Sequence, residues 1–333
     1  MKLLIYTPAF YPNTGGLETI NIIICEQLSQ NGFDVTLITP QYNPRNDDSK
    51  FDYKVVRDTS YKSLWHWYKW CDVYVHSVLS LNGIWPLLIC PKTWVVIHHT
   101  CYFHAWDSKP TFLSKLKKFA SKFAKNIAVS QAVANELGLH NATVIHNAFN
   151  SLLFTNFNTE KRKNFVYVGR LVSEKGVNLL IEAYKIYATN SNNHWGLTII
   201  GDGPEKSKLQ DQASDFNIHF LGKKCGEELV KELNNHACMI VPSIYNEAFG
   251  IVALEGLACG CRCIVSDGDG LHEAVGKYGT LFIKGDIKDL AQKMLLEENA
   301  NAVNYKQIED QHLIHFTPTK IGQQYVNYFK SIK

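Results

Sequence analysis

The sequence predicts an α/β protein in which two doubly wound parallel sheets face each other across a central cleft. Short β-branched runs alternate with longer amphipathic segments along the whole chain, the mark of βαβ units. Several of the strand-like runs, such as Leu197–Ile200 (Leu-Thr-Ile-Ile) and Cys263-Ile-Val, lack polar alternation. That is expected where helices cover both faces of a sheet. The polar run Asn150–Lys163 breaks the pattern near the middle and reads as a linker. The units could also close one barrel, but the break favours two Rossmann-like domains.

The elements follow in order. Lys2–Tyr6 reads as a strand, Leu17–Asn31 as a helix and Asp34–Thr39 as the next strand. Further strands are expected at Val73–His76, Trp94–His98, Ile127–Val129 and Thr143–His146. Beyond the linker, strands are expected at Asn164–Val168, Leu197–Ile200, His219–Leu221, Met239–Val241, Arg262–Ser266 and Thr280–Ile283. Helices are expected at Gly176–Ala188 and Lys206–Phe216. The expected domains are 1–155, 156–315 and a C-terminal helix, 316–333, that packs back on the first domain. Sheets of this kind bind ligands beyond the carboxyl ends of their strands, so each domain offers a half-site.

Composition narrows the function classes. With 34 basic and 31 acidic residues, the formal net charge of +3 gives no electrostatic case for nucleic-acid binding. No run of about 18 uncharged apolar residues is present to form a membrane-spanning helix. The nine cysteines are an odd number with no regular spacing, and the apolar run after Met1 is too short for a signal peptide. Free thiols of this kind point to a reducing, cytoplasmic setting. Cys259-x-Cys261-x-Cys263 resembles a metal ligand run but has no histidine pair to match it, so buried cysteine is the better reading.

Three glycine loops each follow an expected strand. Pro12-Asn-Thr-Gly15-Gly16 lets backbone amides approach an anion at a helix start, or simply makes a tight turn. Gly169-Arg170-Leu-Val-Ser-Glu-Lys175-Gly176 brings two cations to a helix entrance, and a guanidinium fork with an ammonium suits a diphosphate. Gly201-Asp-Gly203-Pro204 begins like a dinucleotide fingerprint, but Lys206 stands where the third glycine belongs, which argues against NAD. The most specific run is Pro242-Ser-Ile-Tyr-Asn-Glu247-Ala-Phe249-Gly250-Ile251-Val-Ala-Leu-Glu255. A helix starting near Gly250 would leave the amides of Phe249, Gly250 and Ile251 as phosphate donors. Glu247 and Glu255, on either side, suit hydroxyls of a sugar and a ribose. The competing reading is a capping glutamate and a surface glutamate.

This Glu247-x7-Glu255 run resembles the signature of glycosyltransferase family 4, the group 1 transferases, whose fold is GT-B. The resemblance continues through Cys263-Ile-Val-Ser-Asp, Gly270-Leu-His-Glu273, Tyr167-Val-Gly-Arg170, Ile199-Ile-Gly-Asp-Gly-Pro204, Gly15-Gly16, Ala128-Val-Ser130 and Val144-Ile-His-Asn147. It implies a retaining glycosyltransferase of hexosyl type that needs no metal or other cofactor, using a UDP- or GDP-sugar donor and a glycan or lipid-linked acceptor. It also implies the site. Arg170 and Lys175 would hold the diphosphate, Glu255 the ribose, and Glu247 with the amides of Phe249, Gly250 and Ile251 the donor sugar and phosphates. Gly15 and Gly16 would close over the phosphates, and His99, rather than His98, would orient the sugar. Asp267-Gly-Asp269 mimics a metal-binding pair of a different transferase fold, but lies in the family's loop before Gly270. Related readings are a nucleotide-sugar epimerase, another GT-B enzyme, or a non-catalytic sugar-nucleotide-binding partner subunit. Finally, Thr111–Lys125 is basic and amphipathic. It is either a sheet-covering helix with a solvated lysine face or a peripheral contact with the inner face of a membrane. Leu64–Trp70 is an aromatic run that suits either a docking surface or a core.

Overall fold

The computed structural model of the chain describes residues 1–13, 15–101, 111–139, 141–158, 162–300 and 305–332, with Arg162 and Asp269 described by backbone alone. Thr14 of the first glycine loop and residues 159–161 of the expected linker lie outside the described residues. Two compact units result. One takes the chain up to Ala148 together with Phe316–Lys333, and the other runs from Phe149 to His315. The division falls earlier than residue 155 because Asn234 clamps the following segment to the second unit. Its amide donates to the Thr155 carbonyl at 2.9 Å, and its carbonyl accepts from the Phe157 N–H at 2.7 Å.

In the first unit the elements are β1 (Lys2–Tyr6), α1 (Gly16–Gln30), β2 (Asp34–Ile38), β3 (Lys54–Val56), α2 (Tyr61–Trp70), β4 (Val73–Ser77), α3 (Trp85–Ile89), β5 (Thr93–His98), α4 (Phe112–Ser121), β6 (Lys125–Ala128), α5 (Gln131–Leu137) and β7 (Thr143–Val144). The seven strands are parallel, in the order β3-β2-β1-β4-β5-β6-β7. The order reverses between β1 and β4, which makes their carboxyl ends the place where such a sheet opens to a ligand. Helix α1 buries Ile20, Ile23, Ile24 and Leu28 at three- and four-residue spacing, the stripe that seats a helix on a sheet.

The second unit carries β8 (Arg162–Val168), α6 (Val177–Asn190), β9 (Gly196–Ile200), α7 (Lys206–Gln212), β10 (Ile218–Gly222), α8 (Gly226–Asn235), β11 (His236–Val241), α9 (Ile251–Ala258), β12 (Arg262–Ser266), α10 (Asp269–Val275), β13 (Gly279–Phe282), α11 (Ile287–Glu298) and α12 (Tyr305–Gln311). Its six parallel strands run β10-β9-β8-β11-β12-β13, so the order reverses between β8 and β11. Phe165, Tyr167, Leu180, Tyr184, Tyr187 and Trp195 anchor the core beneath α6. The final helix, α13 (Pro318–Ser331), belongs to the first unit and lies on α1. The two approach so closely that a Cβ at Gly322 would come 2.3 Å from Gln27 Cγ.

Three sequence readings need refinement. The aromatic run is helix α2, and it is divided: Leu64 and Tyr68 are buried, while Trp67 and Trp70 stay half-exposed. The cysteine run is buried, with the Cys261 thiol donating to the Leu233 carbonyl at 3.2 Å and the Cys263 thiol to the Ala253 carbonyl at 3.5 Å. Segment 111–125 does not cover the unit with its apolar stripe: Phe112, Leu113, Leu116 and Phe119 of α4, and Phe123 just past its end, are exposed. Its buried residues are Ser114 and Ser121.

Candidate functional site

The loops after β8 and β11 flank the strand-order reversal of the second unit, and glycine lets them interlock. A Cβ at Gly176, where φ is +68°, would come 2.1 Å from the Pro242 carbonyl oxygen. Across this contact Ile244 N–H donates to the Glu174 carbonyl at 3.0 Å. Gly201 and Gly203 serve the same loop from beneath. A Cβ at Gly201 would fall 1.8 Å from the Gly169 oxygen, and one at Gly203 2.3 Å from the Leu171 oxygen. With the side chains gone, Leu171 N–H donates to the Asp202 carbonyl at 2.9 Å, and Glu205 N–H to the Leu171 carbonyl at 3.1 Å. The Gly-x-Gly pair therefore sets the shape of the Arg170–Lys175 loop.

The interlock brings Lys175 to Glu247. Lys175 Nζ lies 2.5 Å from Glu247 Oε1 and donates to the Tyr245 hydroxyl at 2.9 Å. Tyr245 donates to Glu247 Oε2 at 2.7 Å, and Ser243 Oγ donates to Oε1 at 2.7 Å. The ammonium also sits 4.7 Å from the centre of the Tyr245 ring. Glu247 is only 9% exposed. Burial alone would raise its pKa, but the Lys175 charge and the hydrogen bonds from Lys175, Ser243 and Tyr245 outweigh it and hold the carboxyl below the usual glutamate range. Counting lone pairs, Oε1 is filled by two donors and Oε2 keeps one acceptor site; Lys175 has used two of its three N–H groups. One acceptor and one cationic donor remain side by side.

Helix α9 begins beside this pair. Gly250 caps it at φ +98°, pressed so close to Leu271 that a Cβ would come 2.5 Å from Leu271 Cδ2. Among the described residues the amides of Gly250 and Ile251 donate to no backbone carbonyl, while the Phe249 ring is buried as an anchor. Gly270 N–H donates to the Glu247 carbonyl at 3.0 Å, which ties the 267–270 loop to the same turn. Glu255, on α9, keeps some exposed area, yet the protein packed round its carboxyl pushes its pKa up to about 8. That carboxyl has no hydrogen-bond or ion-pair partner among the described residues. Arg170 is exposed at the opposite end of its loop from Lys175, and its carbonyl accepts from the Tyr167 hydroxyl at 3.0 Å. Asp267 accepts from Gly268 N–H at 2.7 Å, and the side chain of Asp269 lies outside the described residues.

In the first unit, Gly15 and Gly16 stand exposed at the start of α1, just beyond β1. His99 follows β5 directly and is buried, with neither ring nitrogen hydrogen-bonded. Burial pushes its pKa down to about 3, against an upward pull from Asn147 close by; no contact between the two meets hydrogen-bond geometry. His98, by contrast, is held by Asn126 at 2.8 Å. Sequence reasoning missed the polar cluster at the strand-order reversal. Ser77 donates to Asn21 Oδ1 at 2.5 Å, and Asn21 donates to Thr7 Oγ1 at 2.9 Å. Its only signal was an asparagine on the apolar face of α1 opposite a serine ending an apolar strand. Tyr245 and Ser243 were missed too, although both stand in the quoted run.

Residues 150–309 match the model described as glycosyl transferases group 1, and residues 14–151 the model of glycosyltransferase family 4. An uncharacterized glycosyltransferase of Methanocaldococcus jannaschii is 33% identical, over 83% of each chain. A Campylobacter jejuni N,N'-diacetylbacillosaminyl-diphospho-undecaprenol alpha-1,3-N-acetylgalactosaminyltransferase is 27% identical over 54% of this chain. Among solved structures, an Anabaena protein, HepE, in complex with UDP superimposes with a TM-score of 0.81 at 18% identity, covering 99% of this chain and all of that one. This likeness shows the fold, which is GT-B with two Rossmann-like parallel-sheet domains. The chain spans 48% of the length of that C. jejuni relative and 59% of the length of another M. jannaschii glycosyltransferase that it matches.

Proposed function

Because the chain belongs to the group 1 glycosyltransferases of family 4, we propose that it moves a hexose from a UDP- or GDP-sugar to a glycan or lipid-linked saccharide, with retention and without a metal. The observation that carries this reading is the buried Lys175–Glu247 pair beside the α9 N-terminus, with one donor and one acceptor left over. The spare Lys175 N–H, the Arg170 guanidinium and the Gly250 and Ile251 amides, with that of Phe249 beside them, take the donor diphosphate and the charge it gains on leaving. The vacant Oε2 site of Glu247 accepts a sugar hydroxyl, and Glu255 takes the ribose. They are ligands rather than an acid–base pair, so the spacing rule for glycosidase carboxylates does not apply. Within the first unit itself, Gly15 and Gly16 at the start of α1 are candidates for a phosphate approach, and His99, neutral because it is buried, for orienting a sugar.

The UDP complex of the Anabaena protein makes UDP the first donor nucleotide to try, and the diphospho-undecaprenol in the C. jejuni name supports a lipid-linked acceptor. The test is thermal unfolding with UDP, GDP, CMP and NAD, each with and without chelator. A ligand bound only by the native state adds about 2.7 kcal/mol at about 100 times its dissociation constant. A shift with UDP or GDP that survives chelation supports the reading. A shift with NAD alone, or one that chelator abolishes, overturns it. A donor sugar released or inverted without acceptor would move the assignment to an epimerase-like enzyme.

A further inference from the structure

Helix α4 is built inside out. Phe112, Leu116 and Phe119 recur at spacings of four and three, which places them on one face of α4, and Phe123 continues the apolar run in the turn just past its end. Leu113 borders that stripe. All five are exposed, Phe112 to 81% and Phe123 to 73%. The opposite face, which packs on the unit, is polar: Ser114 and Ser121 are buried, seven residues apart. Their hydroxyls are satisfied locally, Ser114 Oγ donating to the Thr111 carbonyl and Ser121 Oγ to the Lys118 carbonyl, each at 2.8 Å. A serine face can therefore be buried at little cost, and the apolar face is left for something outside the unit.

The charges around the stripe say what that is. Between Thr111 and Lys125 there is no acidic residue. Lys115 and Lys122 flank the stripe on one side and are exposed, as is Lys125 just beyond the helix. Lys117 and Lys118 lie toward the serine side and are half-buried, with Lys118 Nζ donating to the Glu136 carbonyl at 3.3 Å. The outward lysines and the outward phenylalanines thus share one surface. Beside its C-terminal end lies a cavity of about 660 Å³, walled by Lys122, Lys125, Asn141 and Thr143. We propose that this face of α4 docks on an anionic lipid bilayer, with the phenylalanines entering the headgroup–acyl boundary and Lys115, Lys122 and Lys125 pairing with phosphates. Exposed aromatics without the lysines would suit a protein partner as well; the absence of any acidic residue selects the anionic surface. The donor assignment is not needed for this step.

The full chain is sedimented with vesicles of phosphatidylcholine alone and of phosphatidylcholine with phosphatidylglycerol. Binding is expected on the anionic vesicles at low salt, at least about tenfold weaker at high salt or after reversing Lys115, Lys122 and Lys125 to glutamate. Phe119→Ser with Phe123→Ser is expected to release the protein at any salt. Both variants change exposed side chains, and an unaltered ligand-free unfolding temperature and far-UV circular dichroism spectrum check that they fold. If the wild type stays in the supernatant with anionic vesicles, or the variants bind as it does, the proposal fails. If the wild type self-associates without lipid and the phenylalanine variant does not, the face belongs to a second copy instead.

Discussion

Lys175→Met isolates the electrostatics at the centre of the candidate site. Methionine keeps most of the lysine stem but leaves Glu247 with hydrogen bonds from Ser243 and Tyr245 and no cation. Removing one member of a buried ion pair costs about 3–5 kcal/mol. Because the Lys175 and Glu247 side chains are 19% and 11% exposed, the low end, about 3 kcal/mol, is expected. For a unit of this size that is a fall of roughly 2–4 °C per kcal/mol. The pH dependence is the sharper readout. In the wild type the folded-state pKa of Glu247 lies below the unfolded value. Its contribution is therefore complete above the ordinary glutamate range and is lost as pH falls through the depressed pKa. Without Lys175, burial dominates and the pKa rises, so the penalty grows as pH climbs through and above the ordinary range. The gap between the two proteins should widen from about pH 4 to about pH 7. Adding Glu247→Gln removes the stranded charge and should recover most of the stability. Turnover should stay down at least tenfold, about 1.4 kcal/mol, in both. Urea unfolding across that range, paired with sugar-transfer rates, makes the measurement. A constant gap, or a double variant no more stable than the single one, would refute the electrostatic account.

Gly176→Ala forces a Cβ against the Pro242 oxygen at positive φ, so a loss of at least about 2 kcal/mol and weakened nucleotide binding are expected from denaturant melts and titration calorimetry; a neutral outcome would show that the two loops do not depend on this contact. The Glu255 carboxyl, with its pKa raised to about 8, should bind ribose better once ionised. Donor affinity should therefore rise with pH through that value, and Glu255→Gln should flatten the curve. His99→Leu removes two buried, unpartnered nitrogens. A merely structural histidine would make that change neutral or stabilising with normal rates, whereas a sugar-orienting one predicts the same stability with turnover down at least tenfold. With its pKa pushed down to about 3, His99 should add no limb to the pH–rate profile near neutrality.

The strands were legible because most are buried on both faces, and such runs must be almost wholly apolar. Arg262–Ser266 was found to the residue and Lys2–Tyr6 likewise. What escaped was structure with no such pressure. Strand β3 is three residues at the sheet edge. Helix α2 carries three tryptophans, a tyrosine pair and a histidine in ten residues, a composition with modest helix propensity and no single apolar stripe. Arg262, a charge opening a buried strand, likewise acquires a reason only in three dimensions. The guanidinium pairs with Glu297 and sits 5.7 Å from the centre of the Trp195 ring.

The candidate site divides along the same line. Glu247, Lys175 and Arg170 could be named because charged groups at fixed offsets beside glycines are conspicuous. Ser243 and Tyr245 could not, because serine and tyrosine are ordinary loop residues until their hydroxyls are seen on a carboxylate. Yet they decide how that carboxylate can act. Ser243 and Lys175 saturate Oε1, and Tyr245 occupies half of Oε2. A ligand hydroxyl thus has a single place to donate, with a fixed direction relative to the ammonium. On the proposed reading the run asks for an anion and a hydroxyl-rich ligand, and the loop hydroxyls decide which ligand hydroxyl is held. Tyr245 is therefore where donor-sugar preference should be adjustable without losing diphosphate binding, since Lys175 keeps its charge whether or not the phenol is present.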